Sequence, residues 1–179
     1  MELLSTNYGG ADETEKSQEL WNVGDNICVR SNEPGFLDPW PNIVKTTSML
    51  HCDGDSMRIL VCSENTGNHL LVPGAVQSLD VEDAELREVN PGHPLRPAGS
   101  TITIQAMTWG PKVLEGDEYY AYVYACHLSE AKVKFTNEAF GRGVDTWPNK
   151  HKSGVIFYIV DGEDEIRQLA GQEGTKVRF

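Results

Sequence analysis

A chain of 179 residues with 15 Lys+Arg against 27 Asp+Glu carries a formal charge of -12, and 39% of it is apolar. That length suits one ordinary domain or two very small ones, and the apolar share supports a packed core rather than global disorder. The acid excess repels a phosphate backbone or an anionic membrane, so nucleic acid is set aside as a partner. No window nears the ~18 consecutive apolar residues of a membrane-spanning helix, so no transmembrane segment is expected. The start Met1-Glu2-Leu3-Leu4 lacks the basic and apolar regions of an export signal, which predicts a soluble, cytoplasmic protein, with secretion as the alternative. Cys28, Cys52, Cys62 and Cys126 form no CxxC pair and read as small buried hydrophobes in a reducing compartment.

In chain order, Asp12-Glu13-Thr14-Glu15 has the spacing of a helix N-terminal cap and Gly24 could end the helical stretch, anchored by Leu20 and Trp21. At most one or two short helices are expected in the whole chain. Asp53-Gly54 reads as a hairpin turn before the apolar run Met57 to Cys62, a buried strand. From Pro73-Gly74 through Pro91, Pro94, Pro97 and Gly99 the chain is a connector rich in prolines and acids, with Val76 to Asn90 partly helical. Thr101 to Ala106 and Ala131 to Phe135 alternate polar and apolar residues, the mark of strands with one wet face. Tyr120, Tyr122 and Tyr124 recur every second residue and would share one strand face, as a binding platform or as ordinary sheet packing. Val155 to Val160 reads as another buried strand, followed by a second Asp-Gly turn at Asp161-Gly162.

The chain also repeats itself. Asp38-Pro39-Trp40-Pro41-Asn42-Ile43-Val44-Lys45 returns as Asp145-Thr146-Trp147-Pro148-Asn149-Lys150-His151-Lys152. Upstream, Tyr8-Gly9 answers Trp109-Gly110, and downstream Arg58, Leu60 and Glu64 answer Arg167, Leu169 and Glu173. The expected organisation is a first β repeat over 1–73, a connector over 74–103 and a second β repeat over 104–179. The fold class is all-β, a β-sandwich built from two sequence-related repeats, with one shared core or two.

Tyr8-Gly9, Ala11-Asp12-Glu13-Thr14, Leu20, Gly35-Phe36-Leu37-Asp38-Pro39, Lys45, Ser63-Glu64 and Val72-Pro73 stand in an order that resembles the C-terminal domain of DnaJ-like subfamily C member 11 proteins. The similarity covers residues 3–73, and 104–179 more loosely; the acidic-Thr signature near Asp12 is missing from the second copy. That domain has no characterised molecular function and occurs in other architectures; in the J-protein it is associated with the mitochondrial membrane-organising complex. The resemblance supplies no active-site residues, and without a J domain neither a chaperone nor a mitochondrial role carries over.

Asp38, Trp40, Asn42 and Lys45, with Asp145, Trp147, Asn149 and Lys152, form the leading candidate site. Each loop offers an aromatic face, an amide, a carboxylate and an ammonium, a set suited to a sugar or a peptide end. The packing alternative has Trp plugging the sandwich, Pro and Asn shaping a turn, and Lys pairing with Asp. His51, Asp53 and Asp55 alternate on a strand, but the second copy replaces the His by Tyr158, so no metal site is expected. No nucleophile stands near a base in a known pattern, and Gly141-Arg142-Gly143 lacks the context of a phosphate loop. No cofactor is expected.

Residues 130–152 carry five Lys/Arg and three acids, whereas 1–38 carry eight acids and two bases. Such ends could dock head to tail in a homo-oligomer, or be solvated faces. The expected function is a non-enzymatic binding protein that recognises a carbohydrate, peptide or protein surface through the paired Trp-Pro-Asn loops. The alternative is a small cofactor-free isomerase or cyclase with a pocket between the repeats, and a membrane-damaging toxin subunit ranks last.

Overall fold

A computed structural model of the chain describes residues 2–22, 27–28, 36–64, 69–70, 84–89, 95–143 and 145–179. Most of the regular structure among these is strand, and the fold is an all-β sandwich. The first sheet is built from β1 (Glu2–Tyr8), β2 (Ala11–Asp12), β4 (Thr46–Asp53), β5 (Ser56–Ser63) and β7 (Ala84–Val89), in the order β2-β1-β4-β5-β7. The second contains β8 (Ile102–Trp109), β9 (Lys112–Val113), β11 (Ser153–Val160) and β12 (Arg167–Gln172), in the order β12-β11-β8-β9. Every pairing in both is antiparallel. Two short ladders complete the strands, β3 (Ile27–Cys28) with β6 (His69–Leu70) and β10 (Val133–Lys134) with β13 (Lys176–Val177).

The sheets stack on a shared apolar layer of Leu50, Ile59, Ala106, Val155 and Phe157, all nearly inaccessible to water. One core therefore joins the two halves. Their side edges are tied by polar contacts: the Gln168 amide nitrogen lies within hydrogen-bond distance of Ser5 Oγ at 2.7 Å and Thr6 O at 3.0 Å, and Glu85 accepts from Lys112 Nζ at 2.9 Å and from the Val113 amide at 3.0 Å. The outer face of the first sheet packs Leu3, Tyr8, Met49 and Leu60 against Leu20 of α1 (Thr14–Asn22) and against Phe36. On the second, Ile104, Met107 and Trp109 meet α2 (Asp117–Leu128) and Phe140 of α3 (Asn137–Phe140).

Both halves run strand, two-residue strand, helix, two-residue strand, the Trp-Pro-Asn loop and a long antiparallel pair, and the second has the further helix α3 before its loop. They share an irregularity too. Pairing of β1 with β4 jumps from Leu3↔His51 to Ser5↔Leu50, leaving Leu4 bulged, and pairing of β8 with β11 jumps from Ile104↔Tyr158 to Ala106↔Phe157, leaving Gln105 bulged. Because a bulge adds one residue to one strand, it reverses which residues face the core beyond it. This lets Ile102 and Ile104 pack on the same outer face as Met107 and Trp109.

The tyrosine reading requires correction. Tyr120, Tyr122 and Tyr124 lie on the helix α2, not on a strand. A two-residue period over a stretch this short also fits an apolar helix buried on several sides, and the acidic Asp117 and Glu118 suit the positive end of a helix. Tyr120 and Tyr124, one turn apart, are buried, while Tyr122 is half-buried. With α1 and α3 the described residues hold three helices, more than the one or two short ones expected. The acidic cap near the start is present, the Asp12 carboxylate accepting from the Thr14 amide at 3.0 Å. In the connector, 84–89 is the strand β7 paired with β5, not helix; 71–83 and 90–94 lie outside the described residues, as do Gly35 and Val72-Pro73 of the family resemblance and the expected helix stop at Gly24.

Candidate functional site

Each Trp-Pro-Asn loop enters a long strand through a lysine. Asp38 accepts from the Trp40 amide at 2.9 Å and Asp145 from the Trp147 amide at 3.0 Å, two-residue closures typical of an aspartate turn. Asn42 (φ 64°) and Asn149 (φ 61°) occupy the left-handed region, which asparagine tolerates better than most residues. The returning amides of Ile43 and Lys150 both bond at 3.2 Å, to the carbonyls of Trp40 and Trp147.

Lys45 and Lys152 were expected to meet a ligand, yet both side chains are only 1% exposed. Their ammonium groups point inward and hold the loops. Lys45 Nζ donates to the carbonyls of Trp40 (3.1 Å) and Ile43, and pairs with Asp38 (3.0 Å) and Glu64 (3.1 Å). Lys152 Nζ donates to the Lys150 carbonyl (3.0 Å) and pairs with Asp145 (2.8 Å) and Glu173 (3.3 Å). An unpaired buried ammonium would be costly, and here each finds carboxylates and carbonyls on several sides. Binding by the two lysines is thereby replaced by a scaffolding role, for the stems and heads of both are enclosed.

Further partners fix Glu64, which is buried, and Glu173, which is half-buried, differently in the two halves. Tyr8 Oη donates directly to Glu64 at 2.8 Å. At the corresponding place Trp109 Nε1 donates to Asn137 Oδ1 at 2.9 Å, and Asn137 Nδ2 donates to Glu173 at 3.0 Å. The shorter indole reach is bridged by an amide. Above both lysines runs a glycine turn, Gly9 and Gly110, whose amides donate to the carbonyls of Thr46 and Ser153, each at 2.9 Å.

Electrostatics follow the geometry. Asp38 is held below the usual carboxylate range by the Trp40 amide first and the Lys45 ammonium second, and Asp145 by the Lys152 ammonium and then the Trp147 amide. Burial, reinforced by the Glu64 carboxylate it bonds, pushes the Tyr8 phenol far up.

The tips remain open to solvent. Pro41, Asn42, Pro148, Asn149, Lys150 and His151 are exposed, and Trp40 is half-buried with its ring 5.5 Å from the His151 ring. Trp147, by contrast, is buried at 7% exposure and belongs to the core side of its loop. The two loops thus sit side by side at one end of the sandwich. The tyrosines are elsewhere: Tyr122 Oη accepts from the Lys134 amide at 2.8 Å and Tyr124 Oη from the buried Ile104 amide at 3.1 Å.

Glu64 and Glu173, Tyr8 and Trp109 correspond in the sequence, and Asn137 matches Asn32 of the first copy, but none of them was assigned to the loops. The repeated position of each pair relative to its lysine was the available signal. Among the described residues no group of three or more His, Cys, Asp or Glu could hold a metal ion, and no helix is long and apolar enough to cross a membrane. Compared with known proteins, the chain matches no family model, no curated protein and no solved structure.

Proposed function

We propose that the protein is a non-enzymatic binding module whose recognition surface is the joined pair of loop tips, Trp40-Pro41-Asn42 and Pro148-Asn149-Lys150-His151. The observation that carries this reading is the preorganisation of both tips: a buried lysine under each loop bonds loop carbonyls and the turn aspartate, so little order remains to be imposed on binding. Exposed amides on a rigid turn beside a half-buried indole suit a sugar hydroxyl array or an extended peptide, the indole giving apolar area and the amides orientation. Because the Trp40 and His151 rings touch, the tips act as one composite surface rather than as two separated sites.

The catalytic alternative needs a chamber between the halves. Leu50, Ile59, Ala106, Val155 and Phe157 fill the described part of that region, which lends the alternative no support.

The test is binding of the intact chain to carbohydrate and peptide arrays, beside Trp40→Ala and the double variant Asn42→Ala/Asn149→Ala. The tip reading predicts at least one array ligand whose affinity falls about tenfold or more in both variants, a loss of roughly 1.4 kcal/mol. Variants with native circular dichroism that leave every detected interaction unchanged would make the loops scaffolding only.

A further inference from the structure

Away from the loop tips, a pocket of about 380 Å³ opens between the end of α2, the ends of β8 and β11, and the final residues of the chain. Its apolar wall is Ile102, Val160 and the Phe179 ring, which stands edge-on to both His127 and Tyr158, at 5.2 Å in each case. On a protein of charge -12, two arginines lining one pocket are unexpected. Arg167 is bonded to Glu163 at 2.8 Å, whereas Arg178 is exposed and has no ion-pair partner among the described residues. Tyr158 is 8% exposed, and its hydroxyl has no hydrogen-bond partner among the described residues. That phenol lines the cavity and is not among the buried unpartnered polar atoms, so it is open to solvent there and available as a donor.

We infer that this pocket binds a compact monoanionic carboxylate with an aromatic or alicyclic body. The carboxylate forms a paired hydrogen bond with the Arg178 guanidinium and accepts a further one from Tyr158, while the ring lies against Phe179, Ile102 and Val160. The volume falls near the lower end for small-molecule sites, which suits one or two rings and not a nucleotide. Charge narrows the class further. Glu130 lines the same pocket and Glu163 already holds Arg167, so a dianionic phosphate meets the Glu130 carboxylate and gains only one unengaged arginine. The His127 Nε2 is engaged with Thr101 Oγ1 at 3.1 Å.

The experiment is an NMR titration of the isotope-labelled intact chain with 1-naphthoate, with the neutral 1-naphthalenemethanol and with inorganic phosphate. It is repeated on Arg178→Gln and Tyr158→Phe. Saturable shifts centred on the amides of Tyr158, Arg178 and Phe179 are expected with naphthoate. Affinity should fall at least about tenfold in Arg178→Gln and for the neutral analogue, because both lose the charge-assisted pair. Arg178 is exposed, so that variant folds, and its unperturbed spectrum elsewhere serves as the control. The inference is overturned if naphthoate gives no saturable shift, if the alcohol or phosphate binds as well, or if Arg178→Gln binds naphthoate unchanged. Neither variant touches the loop tips, so failure here leaves the proposed binding function standing.

Discussion

The hydroxyl of Thr46 lies 3.1 Å from that of Ser153, and each residue directly follows a buried lysine. The residues that follow the two lysines therefore meet each other directly. This meeting places the loops of Lys45 and Lys152 next to one another. It also makes the two clamps comparable, so that a change in one has an internal control in the other.

Removing a clamp lysine is the most direct perturbation. Lys45→Ala leaves Glu64 buried without its cation and opens space beneath Gly9, and should lower unfolding stability by roughly 3–5 kcal/mol. Denaturant midpoints measured for Lys45→Ala and Lys152→Ala check this. Little change in either would mean that the ammonium groups are not the fasteners of the loops.

The glycine turns over the two lysines should differ in tolerance. Both Gly9 and Gly110 have positive φ, 59° and 56°, so alanine costs about 1–2 kcal/mol at either from backbone conformation alone. A Cβ on Gly9 would also stand 2.8 Å from Lys45 Cγ, against 3.2 Å from Lys152 Cγ for Gly110. Gly9→Ala is therefore expected to be the more destabilising by thermal melting, and the reverse order would contradict the described packing.

Tyr124 gives a test of the bulge. Its hydroxyl is the acceptor for the Ile104 amide next to bulged Gln105, in a region where both residues are almost fully buried. Tyr124→Phe leaves that amide without its partner and should cost about 1–3 kcal/mol, with faster hydrogen exchange at Ile104.

Stability should fall at both pH extremes for separate reasons. Asp38 and Asp145 have depressed pKa values in the folded chain, so their contribution is complete above the ordinary carboxylate range and is lost as pH falls through it and below. In Asp38→Asn/Asp145→Asn the acid dependence should be shallower. Tyr120 is the opposite case: burial pushes its phenol up to about 12, so its contribution is complete below the ordinary tyrosine value near 10 and disappears as pH climbs through 12. Tyr8, Tyr122, Tyr124 and Tyr158 shift in the same upward direction, and tyrosinate absorbance should appear abruptly with alkaline unfolding.

What the residues determine locally was legible. The Asp-x-Trp-Pro-Asn segments close on their own backbone, the Asp-Gly turns reverse the chain, and Met57 to Cys62 and Val155 to Val160 are strands because their apolar runs are short and β-branched or aromatic in part. Tertiary structure alone decided the rest. Whether Lys45 faces solvent depends on Tyr8 and Glu64, residues 56 positions apart that no local period connects. Whether the tyrosines lie on a strand or a helix depends on the outer face they must cover, since a stretch apolar on all sides satisfies either period until its neighbour is known. Local chemistry sets turns and alternation, but burial belongs to the assembled chain, and burial turned two lysines from ligand contacts into the fasteners of the loops that carry them.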